Sequence, residues 1–280
     1  MSFEIRKISD VGTSHPVVAR LILQTTEVLS WAGSEKAKQD AIKTLYIHAL
    51  TPKLLNCHKS RDEILRLAKE SLANIKKQNN PHIREVPHVI GLEALIGQFL
   101  YDAKNYLRDL LRLFACVYGC NLEDASDFAD MKDKGEGNFV KWANDQFGTD
   151  NSLSKMVLVD QSWIGEIVRS RNAFEHPGGR SGTLVIQNIR QRHEGTDQYT
   201  PPTWQRTGRP ESDIVTDMDS GLENLLTFGE DLLVQVAQRG EQAKTIAFYE
   251  IPAEQRRPEC PVRIRVDLSP EVLAKFPRKV

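Results

Sequence analysis

One stretch decides most of what this 280-residue chain can become. Between about residues 88 and 119, Val89, Leu92, Leu95, Ile96, Phe99, Ala103, Tyr106, Leu110, Phe114 and Val117 recur at steps of three and four. That spacing places them on one stripe of an α-helix, continuous for roughly 30 residues. A helix of that length with one apolar face must bury it against other helices, as the central rod of a bundle. Gly119 is placed to end it, because glycine accepts the left-handed backbone of a helix C-terminus.

The rest of the first half reads as further helices. Ser14 before His15-Pro16 starts a segment, VVARLILQTTEVLSWAG, with apolar residues at helical spacing and Gly33 as its stop. A second helix is expected from about Ser34, kinked or broken at Pro52, which lacks an N–H and crowds the preceding turn. Ser60 and Glu63 have capping-box spacing and predict a helix over SRDEILRLAKESLANIKKQ, closed by Asn79-Asn80-Pro81. A short helix near FVKWANDQF, a long one from about Ser152 to Glu175 and another over Ser212–Gln238 follow. Extended texture appears in TLVIQNIR (183–190), around Tyr199–Arg206, in TIAFYEI (245–251) and in PVRIRVDL (261–268). The last alternates Val262, Ile264, Val266 and Leu268 with Arg263, Arg265 and Asp267, the period of a strand. The expected fold is mainly α. It has a helical region over 1–87 packed on a helical core at 88–240, a strand-like insertion near 183–206, and a C-terminal β extension over 241–280.

Charge narrows the function. With 37 Lys and Arg against 38 Asp and Glu, the chain carries no uniformly basic coat for nucleic acid. The charge is blocked, however: residues 34–84 hold eleven basic against five acidic side chains, and 212–238 hold six acidic and none basic. Opposite blocks imply elements that pack side by side or solvated faces, with a local basic groove as the other reading. No apolar run approaches the roughly 18–20 residues that span a bilayer, and MSFEIRKISD has no apolar signal region. A cytoplasmic protein without membrane contact is expected. Cys57, Cys116, Cys120 and Cys260 read as buried, reduced thiols; Cys116 and Cys120 would share a helix face, but no second pair completes a zinc spacing. The usual signatures of phosphate loops, dinucleotide sites, zinc proteases and serine hydrolases do not occur. No metal or other cofactor is expected.

One constellation stands out. IVRSRNAFEHPGG places Arg171, Asn172, Glu175 and His176 at the C-terminal end of the helix that starts near Ser152. On that helix Leu153, Val157, Asp160, Ile164, Ile167 and Arg171 fall on one stripe, so Arg171 extends the apolar face. A guanidinium there must be paired or must lie at a cleft or interface. Asn172 and His176 share the neighbouring flank, and Pro177 frees His176 from the helical backbone. Arg, an amide and His at one helix end suit an RNA phosphate, because RNA brings its own 2′-OH nucleophile and needs only base, acid and charge stabiliser. The same residues also suit a plain helix terminus, with Arg and His complementing the dipole and His176-Pro177-Gly178 ending it.

Arg171-Asn172-x-x-x-His176 resembles the R-x(4–6)-H signature of the HEPN superfamily, and a long bundle helix ending in it with an amphipathic helix to follow fits that context. The resemblance implies a helical bundle, commonly dimeric, and a metal-independent endoribonuclease of toxin–antitoxin, abortive-infection or CRISPR-linked defence. Arg171 and His176 would be catalytic, Asn172 would orient the phosphate or the His ring, and Glu175 would tune the imidazole or stay solvated. Two motifs would meet across a homodimer interface, with Ile164 and Ile167 at that surface or just behind it. RNA would be the substrate, with an antitoxin or defence partner in attendance. Family members that carry no activity leave a second outcome, a silent module that binds a nucleotide or a protein. The sequence departs from the pattern at Gly178, where some HEPN toxins carry a modifiable Tyr, and in its strand-like insertion.

Overall fold

The long stripe forms α5 (Leu92–Tyr118) in the structure, a computed structural model that describes residues 10–32, 35–75, 86–129, 135–192, 198–240, 242 and 244–275. Ile96, Leu100, Ala103, Tyr106, Leu107, Leu110 and Phe114 are buried along it. Gly119 ends it with φ 69°, and the Gly119 and Cys120 N–H groups return to the Ala115 and Phe114 carbonyls at 3.1 and 3.3 Å. The first is the 5→1 bond of a left-handed (αL) helix closure, which a side chain at Gly119 would strain.

Ahead of this rod, α1 (Pro16–Val18) continues through π-helical turns over Ala19–Gln24 into α2 (Thr25–Trp31). Likewise α3 (Lys36–Thr44) passes through π turns over Leu45–Leu50 into α4 (Thr51–Ile75). Pro52 therefore does not break the helix. The Thr51 N–H reaches back five residues to the Tyr46 carbonyl, and this wider turn makes room for the proline ring. Thr51 Oγ1 and Lys53 Nζ cap the Tyr46 and Ala49 carbonyls at 2.8 and 3.1 Å. Ser60 is not an N-cap either: it is buried inside α4, whose apolar stripe runs through Leu54, Cys57 and Ile64, and Glu63 pairs with Arg66 instead. Gly33, Ser34 and Asn79-Asn80-Pro81 lie outside the described residues.

Downstream come α6 (Asn138–Phe147), α7 (Ser152–Glu175) and α8 (Ile214–Ala237). Asn151 and Asp213 cap α7 and α8, accepting from the Ser154 and Thr216 N–H groups at 2.8 Å. Helices α4, α7 and α8 pack around α5. Acidic α8 lies against basic α4, with Arg61 bonded twice to Asp219 at 2.7 and 2.8 Å, so the opposite charge blocks do pack together.

The insertion supplies β1 (Leu184–Gln187), β2 (Arg190–Gln191), β3 (Tyr199–Thr200), β4 (Thr203–Arg206) and β5 (Ser212–Asp213). They form an antiparallel sheet in the order β1-β4-β5 and a separate β2-β3 pair. The strand expected without a break over 183–190 is interrupted at Asn188, whose amide accepts the Val89 N–H and donates to the Val89 carbonyl, both at 2.9 Å. This ties the insertion to the approach of α5. The C-terminal β6 (Ile246–Glu250) and β7 (Ile264–Leu268) pair antiparallel, and α9 (Pro270–Leu273) follows. The hairpin docks on buried charge: Arg263 Nε meets Glu230 at 2.8 Å, Glu230 also binds Arg20, and Gln24 accepts the Arg263 and Ile264 N–H groups at 2.7 Å. Among the described residues the architecture is mainly α with three small antiparallel sheets. No helix among the described residues is long and apolar enough to cross a membrane. All four cysteines are free, but only Cys57 and Cys120 are buried; Cys116 is exposed on α5 and Cys120 lies past the helix end, so the two do not share a face.

Candidate functional site

The last turn of α7 is held in place from two sides. Ala173 is fully buried, and the Phe174 ring lies so close to Gly97 of α5 that a Cβ there would sit 2.7 Å from Phe174 Cε1. Gly97 is thus the point at which α5 and α7 approach. Beyond the helix, His176 leaves helical geometry at φ −129°, ψ 69°, as a residue before proline should. Gly178 takes a positive φ of 78°, and its N–H bonds to the Gly182 carbonyl at 3.1 Å and to Thr183 Oγ1 at 3.0 Å. The Gly179 N–H returns to the His176 carbonyl at 3.0 Å, so a tight turn aims the chain into β1.

Within that frame Arg171 is one-fifth exposed and its Nη2 lies 2.6 Å from Glu175 Oε2, an i,i+4 pair. Arg171 Nε is buried and has no hydrogen-bond partner among the described residues. The Glu175 pair answers part of the cost that the stripe position implied. The His176 side chain is 72 % exposed, with Nε2 3.9 Å from the same Glu175 oxygen. Glu175 therefore sits between the guanidinium and the imidazole. Asn172 points elsewhere: its Oδ1 accepts from Lys104 Nζ of α5 at 3.4 Å, and Lys104 Nζ lies 3.8 Å from Asp124 Oδ2. Burial pushes the Asp124 carboxyl up, yet hydrogen bonding by Ser126 and the cations Lys104 and Arg171 outweigh it and hold it below the usual carboxylate range.

The structure thus brings Arg171, Glu175 and His176 into one cluster through Glu175, and carries Asn172 to Lys104 rather than to the His ring. The stripe residue Ile164 is fully buried, and Ile167 packs partly buried against the core. Lys104 and Asp124 are additions that the sequence reading missed. Lys104 stands two turns after Gly97, on the flank that faces α7, but nothing local links it to Asn172. Chemically, Arg171 and Lys104 offer cationic donors, His176 offers a proton-transfer group open to solvent, and Glu175 competes with any incoming anion for the guanidinium. No group of three or more His, Cys, Asp or Glu suited to a metal occurs among the described residues. No protein-family model, curated protein or solved structure matches the chain.

Proposed function

We propose that this chain is a HEPN-type endoribonuclease that cleaves RNA by attack of the 2′-OH, with no metal or cofactor, as part of a toxin–antitoxin or anti-phage system in the cytoplasm. The observation that carries the reading is the cluster at the end of α7: a guanidinium and an exposed imidazole on either side of Glu175, with Lys104 bonded to the neighbouring Asn172. Arg171 binds and neutralises the scissile phosphate, Asn172 and Lys104 hold its flank, and His176 acts as base for the 2′-OH or acid for the leaving oxygen. As the 2′-oxygen loses its proton and bonds to phosphorus, the bond to the 5′-oxygen breaks and that oxygen takes a proton. The products are a 2′,3′-cyclic phosphate and a 5′-hydroxyl. A homodimer with the two motifs facing one groove supplies acid and base on opposite sides of the phosphate.

The test is incubation of the purified protein with mixed RNA in EDTA beside His176→Ala. Cleavage that persists in chelator and is lost in the variant supports the enzyme; equal degradation by both proteins removes its main support. A second reading, a silent HEPN-like module that binds a nucleotide or protein partner, draws on one observation: Arg171 is already paired with Glu175.

A further inference from the structure

A cavity of about 440 Å³ opens between α5, α7, α8 and the β1-β4-β5 sheet, apart from the Arg171–His176 cluster. Most of its wall is apolar, with Phe99, Ile167 and Leu184 contributing. Trp204 of β4 also lines it, and its ring is fixed: Nε1–H donates to Asp217 Oδ2 at 2.6 Å, and Ser212 Oγ donates to the same oxygen. The carboxylate of Asp217 is therefore already satisfied from within the wall.

The Glu166 side of the cavity is cationic. Arg206 and Arg209 line it and, with Arg169, converge on Glu166, Arg206 Nη2 at 2.8 Å and Arg169 Nη2 at 3.2 Å. Two guanidinium groups that line the cavity, Arg206 and Arg209, thus share the one Glu166 carboxylate. Burial pushes the Glu166 carboxyl up, but hydrogen bonds from Arg206 and Arg209 outweigh it and keep it ionised below the usual range. The Arg206 side chain is nine-tenths buried, and its Nε has no hydrogen-bond partner among the described residues. That Nε is closed to solvent, so a ligand in the cavity meets this charge through the parts of Arg206 and Arg209 that line it.

We propose that this cavity binds a small planar aromatic anion, its ring against Trp204 and Phe99 and its anionic group on Arg206 and Arg209. The volume lies in the range of small-ligand sites, which pair apolar walls with a few placed polar groups. Each half of the ligand is needed. A neutral ring leaves Arg206 and Arg209 without an added counter-charge, and a bare inorganic anion leaves the apolar wall wet. The insertion that departs from a plain helical bundle is what builds the site, because β4 supplies Trp204 and Arg206. The proposal does not depend on ribonuclease activity.

The probe is 2-naphthoate, titrated into the full chain by calorimetry and tryptophan fluorescence beside neutral 2-naphthalenemethanol and inorganic phosphate. The expected result is saturable one-to-one binding of naphthoate, about tenfold tighter than the alcohol, and no saturable binding of phosphate. Gly221→Leu should abolish it with the fold retained. Gly221 lies on α8 with its added Cβ in ordinary contact, 3.7 Å from Phe99 Cζ, and leucine is the better helix former. Arg209→Gln, at a half-exposed side chain, should weaken naphthoate severalfold and leave the alcohol unchanged, which keeps the test alive should Gly221→Leu misfold. Absence of saturable naphthoate binding, or binding indifferent to both substitutions, overturns the site. Equal affinity for acid and alcohol overturns its anionic half, and phosphate binding as tightly as naphthoate overturns its aromatic half.

Discussion

Replacing Glu175 by glutamine removes the charge that occupies the Arg171 guanidinium while keeping the side chain's size. The pair is an i,i+4 contact at 2.6 Å with its members 20 % and 34 % exposed. Such pairs stabilise a helix by about 0.3–0.5 kcal/mol, so the melting temperature should fall by only about 1 °C in a chain of this length. Binding should respond in the other direction. A phosphate that reaches Arg171 must displace a carboxylate in the native protein and a neutral amide in the variant. Hydrogen bonds to a charged group are about twice as strong as neutral ones, which makes the difference about 1 kcal/mol, or roughly fivefold in affinity. The assay is fluorescence anisotropy with a 2′-deoxy oligonucleotide, which cannot be cleaved by 2′-OH attack. Glu175→Gln should bind about fivefold tighter at low salt, with the gain shrinking as salt rises. Binding that is unchanged or weaker, with a native melt, refutes the assignment of Arg171 to the phosphate. Cleavage that drops while binding tightens shows that Glu175 also serves His176, 3.9 Å away.

His176→Ala should cost no more than about 1 kcal/mol by thermal melt, because the ring is 72 % exposed, and should abolish RNA cleavage. Leu110→Ala, fully buried in the middle of α5, should cost about 2–5 kcal/mol in denaturant unfolding. Light scattering should report about twice the chain mass, and mixing Arg171→Ala with His176→Ala chains should recover activity; a strict monomer that still cleaves RNA defeats the shared groove. Burial and the neighbouring His15 ring, 4.8 Å away, push His58 down to about 4 from 6.5. The unfolded chain then binds more protons than the folded one between these values, so this contribution is intact above pH 6.5 and is lost as pH falls toward 4. Urea unfolding at pH 7 and pH 5 should show the drop, on the order of 2 kcal/mol, and His58→Gln should flatten it.

Helices α5, α7 and α8 were legible because each carries a long apolar stripe and its end is marked by local chemistry, Gly119 for α5 and His176-Pro177 for α7. The same local reasoning misplaced the start of α4. Proline at position 52 looks like a break unless the preceding turn widens to a π turn, and Ser60 mimics a cap although a buried stripe runs through it. In the site, Arg171, Asn172, Glu175 and His176 were visible because six consecutive residues hold them all. Lys104 and Asp124 were not, since only the crossing of α5 and α7 at Gly97 brings them near. The cavity was hidden for a related reason. Trp204 and Arg206 belong to a four-residue strand whose role depends on its register against β1.

Arg20 belongs to the first helical run, yet its carboxylate partners Glu223 and Glu230 lie 203 and 210 residues further along the chain. Closing so long a loop costs little more than closing one half its length, about 0.6 kcal/mol, so stability does not suffer. Timing does. At roughly 5–20 residues per second, a ribosome needs on the order of 10–40 s to pass from the cation to its counter-charges. Over that interval, burying Arg20 would leave its charge without either carboxylate. Once α8 is made, a single carboxylate, Glu230, ties both the beginning of the chain and the β6-β7 hairpin to the same helix.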